Sequence, residues 1–573
     1  MLMLSKLWRS ARLRVDKARP SIKAGLALSL ILTAGALTAP TQAQAAGKLR
    51  VETKEGPVKG LLVNGVAEFL GIPYATPPLG KLRWMPPKPH APWTNVLKAT
   101  AFGPTCAQIT TLGVFAGPAN NNEDCLYINV FTPNLEPSAN LPVILWIHGG
   151  GHVDGESNDY DATKLASQGH TVVVTFNYRL NLMGFLAHPA LDAEGHLFGN
   201  YGILDEQAAL KWVQRNIGAF GGDKHNVTLG GQSAGASSTA DNVISPLATG
   251  LFDRAIIQSG STYMTLIPLA FAETKGTAFA VAAGCGSGTD AATAKCLRSL
   301  PAAQIEALSG TPSANGPYIT GPMIDGQILP QGGVAAITSG RFNHMPVMNG
   351  VVKDEGNFSI GITEYFSGPP RVPPTAASFT TFVTNTYSGN AGPGGSPPAY
   401  PPGTVAAVLA QYPVNAYATP QLALDAVMTD PTACRIRYGT QLFSAQKVPV
   451  YAYEFDYQKA PYYFPAMPGF VPLAAHTIDI QFLFRLYHGG PLGITHYLNN
   501  KEEDLSDQLV TAWTNFAWTG NPNGLGNSPW PRYRNNPAKA IYLSENIPLS
   551  TFADAQYSAA HKCDFWQQYL VYN

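Results

Sequence analysis

Short runs of apolar, largely β-branched residues recur along the chain, each bounded by turn-forming positions. Between them lie stretches in which apolar residues return every three or four positions. The runs Val143 to Ile147, Thr171 to Phe176, Val227 to Leu229, Ala255 to Ile257, Pro346 to Val352 and Val448 to Tyr453 are too continuously apolar for strands with one wet face. They predict buried strands of a mainly parallel sheet. Leu204, Ala208, Trp212 and Ile217 fall at helical spacing, with Gln207, Lys211 and Arg215 on another face. Strands alternating with helices predict an α/β fold. No repeat or long linker divides the chain from residue 47 onward, so one large domain is expected over 47–573. The stretch Ser388 to Gly403, dense in Gly and Pro, predicts an exposed loop.

The first 46 residues depart from this pattern. Lys6, Arg9, Arg12, Arg14, Lys17, Arg19 and Lys23 precede an apolar stretch from Ala24 to Ala39, followed by Ala43-Gln44-Ala45. That order predicts a signal peptide cleaved near Ala45 or Ala46. The apolar stretch is shorter than the ~20 residues that span a bilayer, and no other segment is long and apolar enough to do so. Export to the periplasm or the medium is therefore expected.

Removing the leader changes the charge. The chain holds 37 Lys and Arg against 37 Asp and Glu, and the leader takes seven basic residues and one acidic, leaving 30 against 36, net −6. A nucleic-acid partner, which calls for a basic face, is not expected. Export also makes the six cysteines candidates for disulfides rather than for metal or redox chemistry. Six cysteines allow 15 connectivities. Sequential pairing is the simplest by proximity.

Candidate chemistry begins at Gly231-Gln232-Ser233-Ala234-Gly235, between the run Val227 to Leu229 and a helix expected from near Ala236. A serine on so tight a strand-to-helix turn is pushed out of the sheet toward a substrate, and the glycines avoid a clash. The motif alone also fits a structural turn. A second element narrows the reading: Val143 to Ile147 runs directly into His148-Gly149-Gly150-Gly151. The amides of Gly150, Gly151 and Ala234 can together hold the oxyanion of a tetrahedral intermediate. Serine at neutral pH needs a base, and the base needs a carboxylate to fix its tautomer. Among twelve histidines, His476 lies C-terminal to a loop-borne acid, Glu355, in the order Ser, acid, His that such folds use. Adjacent carboxylates on a loop are not separable by sequence physics, and Asp354 is the rival acid. No cofactor or metal is expected.

Several blocks extend the pattern over nearly the whole chain: Phe69-Leu70-Gly71-Ile72-Pro73-Tyr74-Ala75, Glu123 to Val130, Asn177-Tyr178-Arg179-Leu180, Gly184-Phe185-Leu186 and Phe220-Gly221-Gly222-Asp223. The sequence resembles the type-B carboxylesterases, a family that includes the cholinesterases. The resemblance implies an α/β-hydrolase fold and hydrolysis of small-molecule carboxylic esters through an acyl-enzyme on Ser233. Amides, carbamates, polyesters and a non-catalytic adhesion role are the alternatives. Gly350 to Gly356 resembles the segment that carries the family's acid, on Glu355. His476-Thr477-Ile478-Asp479 resembles the histidine segment, which makes His488 and His496 bystanders. Disulfides Cys106 to Cys125, Cys285 to Cys296 and Cys434 to Cys563 are implied, as are structural ion pairs Arg83 with Glu123 and Arg179 with Asp205.

Three departures bear on the substrate. The loop from Cys106 to Cys125 has Phe115 as its sole aromatic residue and lacks the Trp that binds quaternary ammonium in cholinesterases. Gln232 stands where many members carry Glu. His152 follows the glycine run where an aromatic residue is common. The first two argue against choline esters. Sequons at Asn226 and Asn357 are read as incidental.

Overall fold

Apolar runs that must be covered on both faces assemble into one sheet. In chain order its strands are β1 (Leu61–Val63), β2 (Val66–Pro73), β3 (Tyr127–Thr132), β4 (Leu141–Ile147), β5 (Val172–Phe176), β6 (Gly222–Gln232), β7 (Arg254–Gln258), β8 (Val347–Val352), β9 (Val450–Phe455), β10 (Ile541–Glu545) and β11 (Ser550–Ala553). The spatial order is β11-β10-β9-β8-β7-β6-β4-β5-β3-β2-β1. From β5 through β4 to β10 every pairing is parallel, and antiparallel strands close both edges. The computed structural model describes residues 49–570 apart from 116, 311–319, 389–399, 525–526 and 537. The expected signal peptide and the middle of the Gly/Pro stretch from 388 to 403 lie outside the described residues. From Lys48 onward the chain forms one compact unit with the α/β-hydrolase architecture.

Alternation along β4 shows why these runs lack polar positions. Val143, Leu145 and Ile147 enter one apolar core, while Trp146 enters a second that also holds Val173, Ile256 and Met348 from neighbouring strands. Successive side chains point to opposite faces, so a sheet covered on both sides needs apolar residues at every position.

Several boundaries differ from the sequence expectation. The run Val227 to Leu229 is the interior of β6, which reaches from Gly222 to Gln232. In its first half Gly222 pairs with Leu141, and Asp223 to Asn226 bulge out of the ladder partly or fully exposed, so they need not be apolar. The helix containing Leu204, α1 (Tyr201–Asn216), buries Gln207, whose amide donates to the Ser245 hydroxyl at 3.1 Å. Gln207 therefore belongs to the interior, while Lys211 and Arg215 face solvent.

Disulfides join Cys106 to Cys125, Cys285 to Cys296 and Cys434 to Cys563, the last spanning 129 residues. Arg83 clasps Glu123 through two contacts of 2.6 and 2.5 Å and donates to the Leu300 carbonyl at 2.6 Å. Buried Arg179 binds Asp205 with paired contacts of 2.7 and 2.8 Å. Both are bidentate guanidinium pairs. Asn357 is fully buried, with its amide donating to the Pro472 carbonyl, which leaves no room for a glycan.

Candidate active site

β6 ends at Gln232, and the next helix, α2 (Ala234–Ile244), begins two residues later. Ser233 alone makes the turn, with φ 59° and ψ −124°. The helix expected from Ala236 thus starts at Ala234, because the serine itself is the corner. A Cβ at Gly235 would lie 2.1 Å from the Ile147 carbonyl oxygen, and one at Gly231 would lie 2.5 Å from the Gly235 backbone. Both glycines are required by close backbone approach. The corner is held by the Ser233 amide, which donates to the Gln258 carbonyl at 2.9 Å. The amide of Ala234 lies in the first turn of α2, where N–H groups have no acceptor within the helix.

The glycine run after β4 folds back against that corner. Gly150 and Gly151 take φ of 109° and 63°. A Cβ on Gly150 would sit 1.9 Å from the Asp154 carbonyl oxygen. The amides of Val153 and Asp154 both donate to the Gly150 carbonyl at 2.9 Å, which closes the loop. Gly150, Gly151, Ser233, Glu355 and His476 line one cavity of about 320 Å³, with Phe115, Phe358 and Met428 among its apolar walls.

Beyond β8, Glu355 precedes α3 (Gly356–Phe366), and its carboxylate accepts a very short hydrogen bond from His476 Nδ1. Asp354 takes other partners: Gln458 Nε2 at 2.8 Å and the Ala474 amide at 2.9 Å. The two neighbouring acids thus point to different places. Burial works against protonation of His476, but the Glu355 carboxylate, helped by Asp479, outweighs it and raises the imidazole above its ordinary 6.5. The amide nitrogen of Gln232 lies 3.2 and 3.4 Å from the two ring nitrogens of His476, nearly equidistant, so it faces the ring rather than one nitrogen. The Phe358 ring packs 5.4 Å from His476, centroid to centroid.

The other histidines near these segments have ordinary work. His488 and His496 bond the carbonyls of Leu486 and Tyr462 at 2.9 and 3.0 Å. His152 is buried against the Ser238 hydroxyl at 3.1 Å, and burial, with His148 beside it, pushes it down to about 3. It is neutral at neutral pH.

Three further polar groups stand at the site, and of them only Asp479 lies in a segment singled out in the sequence, where no role is assigned to it. Ser259, at φ 58°, lines the cavity beside Ser233. Asp479 is bonded by the Gln258 side chain, and burial lifts it to about 6. Asp154 accepts from the Thr111 hydroxyl at 2.6 Å and from the amides of Thr111 and Leu112 at 2.9 and 3.1 Å. It fastens the wall loop that supplies Leu112 and Phe115 to the same turn that holds Gly150. Among the described residues no group of three or more His, Cys, Asp or Glu is placed to hold a metal ion.

A serine on a strand-to-helix corner, a paired glycine loop and an imidazole bonded to a carboxylate define the α/β-type serine hydrolase class. Residues 47–566 match the carboxylesterase family. The chain is 34% identical to acetylcholinesterase of Bungarus fasciatus over 92% of this chain and 87% of that protein. It is 33% identical to the medium-chain fatty acyl-CoA hydrolase precursor of Anas platyrhynchos, over 94% and 96% of the two chains. It is 32% identical to carboxylesterase 1E of Mus musculus, over 91% and 93%. The chain belongs to the carboxylesterase family and is a serine carboxylic ester hydrolase.

Proposed function

We propose that Ser233 is the nucleophile, His476 its general base and Glu355 the acid that orients the imidazole. The observation that carries this reading is the bond from Glu355 to His476 Nδ1 in a cavity that also presents Ser233. With Nδ1 tied to the carboxylate, Nε2 is the nitrogen left to take a proton. The Ser233 hydroxyl gives its proton to Nε2 as its oxygen bonds to the ester carbonyl carbon. The carbonyl oxygen becomes an oxyanion held by the amides of Gly150, Gly151 and Ala234. Collapse breaks the bond to the alcohol oxygen, which takes the proton from His476. Water then repeats the sequence on the acyl-enzyme and frees the acid.

Neutral esters suit this cavity better than cationic ones. Among the described residues on its wall Glu355 is the single carboxylate, and His476 already engages it. Gln232 adds no charge, and Phe115 is the sole aromatic residue of the loop between Cys106 and Cys125. Similarity to an acetylcholinesterase therefore does not bring choline-ester preference with it. The basic and apolar leader at residues 1–46, with all six cysteines in disulfides, supports export to an oxidising compartment.

Ser233→Ala tests the assignment. Turnover of p-nitrophenyl acetate should fall by at least about 10⁴-fold with the fold intact. Unchanged turnover, or covalent labelling of another serine by an organophosphonate, would sink it.

A further inference from the structure

The amides assigned to the oxyanion come from two separate pieces of chain. Gly150 and Gly151 belong to the loop after β4, and Ala234 opens α2. They can act on one oxygen only at a fixed separation, and a misplacement of about 1 Å can cost 100-fold in rate. The ladder between β4 and β6 ends at Ile147 and Gly231, short of both pieces. The bonds from Val153 and Asp154 to the Gly150 carbonyl set the shape of the loop and not its distance from α2.

His152 spans that distance. It directly follows Gly151, its Nε2 lies 3.1 Å from the Ser238 hydroxyl, and its ring also bonds the backbone of Ala234. Ser238 stands four residues after Ala234, one turn along the same face of α2. Both ends of the contact are fixed. The His152 carbonyl accepts from the Asn181 amide at 2.6 Å, and Phe185 meets the imidazole at 5.3 Å, centroid to centroid. A Cβ on Gly321 would lie 3.3 Å from Nδ1, so glycine there leaves room for the ring. Ser238 is fully buried, and Asn242 Nδ2 donates to its carbonyl at 3.0 Å. The loop gives Gly150 and Gly151 to the cavity wall, whereas the His152 ring is buried behind them against α2.

We propose that His152 is a positioning residue, its bond to Ser238 a strut that holds the glycine loop and the start of α2 at the separation the oxyanion requires. The inference rests on the reading of Gly150, Gly151 and Ala234 as oxyanion donors and adds what keeps them in register. The strut counts only once the carbonyl oxygen carries charge, so it acts on kcat and spares KM.

A pair of ketones tests this in the full chain. Hexyl trifluoromethyl ketone binds by addition: the Ser233 oxygen bonds to the carbonyl carbon, the carbonyl π pair moves onto oxygen as an oxyanion, and the serine proton passes to His476. Hexyl methyl ketone adds poorly and reports on cavity binding alone. His152→Phe, which keeps a ring but has no N–H, and Ser238→Ala should each lose about tenfold in kcat on p-nitrophenyl acetate and in affinity for the trifluoromethyl ketone, less than the 100-fold or more of a donor removed outright. KM and affinity for the methyl ketone should stay within about twofold, and the acid limb of the rate profile, which belongs to His476, should not move. The double variant should lose no more than either single one, because one bond is broken. His152→Gln, whose amide nitrogen can replace Nε2, should recover most of the loss. Single variants that bind the trifluoromethyl ketone as wild type does, or that lose both ketones equally, overturn the strut. Losses that add in the double variant do the same. Ser238→Ala carries the test alone if the Phe variant fails to fold. Wild type that forms no adduct at Ser233 would overturn the oxyanion reading and the strut with it, whereas an adduct in wild type with unchanged variants would overturn the strut alone.

Discussion

Gln232 is the residue whose consequences are easiest to isolate. It is fully buried, its amide nitrogen is within 3.4 Å of both ring nitrogens of His476, and it is uncharged. His476 must be neutral to take the Ser233 proton, so activity on the acid side falls where the imidazole protonates. With that group already raised above 6.5 by Glu355, the acid limb of kcat/KM should lie above pH 6.5. Gln232→Glu places a carboxylate against the imidazolium and favours it further. The acid limb should then move to higher pH by about one unit, toward the low end of what a close opposite charge produces. Rate profiles on a neutral p-nitrophenyl ester would measure it, and a limb that does not move would show that the contact carries no electrostatic weight. The same variant should gain on cationic esters relative to neutral ones.

At the scale of elements, the glycine loop after β4 is where conformation and chemistry are hardest to separate, and two neighbouring positions pull them apart. A Cβ on Gly150 would meet backbone at 1.9 Å, whereas the nearest atom to a Cβ on Gly151 is a Val153 methyl at 3.6 Å. Gly151→Ala therefore costs only its left-handed backbone, about 1–2 kcal/mol. Gly150→Ala must displace the loop and with it an oxyanion donor, for a loss of about 100-fold or more in kcat. Equal losses in the two variants, with folding checked by circular dichroism, would contradict this division. The loop and the serine corner were legible in the sequence because their glycines are demanded locally, by backbone within a few residues. The parallel strands were legible because burial on both faces leaves an unbroken apolar run. What could not be read depends on contacts distant in sequence. Asp154 grips Thr111 across 43 positions, and the Gln258 side chain bonds Asp479 across 221. The edge strand β1 is three residues long and none of it is buried, and β2 beside it, though buried, carries Glu68 and is broken by a bulge between Phe69 and Ile72, so neither gives a continuous apolar run. The 26-residue helix α4 (Pro420–Ala445) escapes notice because its buried residues lie on several sides and Pro431 interrupts it.

Across the whole molecule, the C-terminal segment is held by a buried charge cluster as well as by the disulfide from Cys434 to Cys563. His561 places Nδ1 3.0 Å from Asp430 on α4 and Nε2 2.6 Å from Glu454 on β9. Burial opposes its charge, but the two carboxylates overcome that and push it up to about 10. A group raised in the folded state contributes stability that is complete below its unfolded pKa, here 6.5, and is lost as pH rises through its folded value of about 10. Other buried groups obey the same sign over a lower range. Burial raises Asp154 to about 6 and Glu306 to about 8, so their share is spent by about pH 8. Burial also raises Asp159, Glu206, Asp241 and Glu545, so the share that belongs to His561 is read from the difference between wild type and a variant that lacks it. Replacing His561 by Gln leaves two buried carboxylates without their shared cation, a loss of about 3–5 kcal/mol at pH 7. Denaturant melts of wild type and His561→Gln at pH 7, 8, 9 and 10 would test both halves of the argument. The two proteins should converge in stability as pH approaches 10, because wild type surrenders the histidinium that the variant never had. A gap that stays constant from pH 7 to 10 would mean that His561 is neutral in the folded protein and that packing alone holds the segment in place.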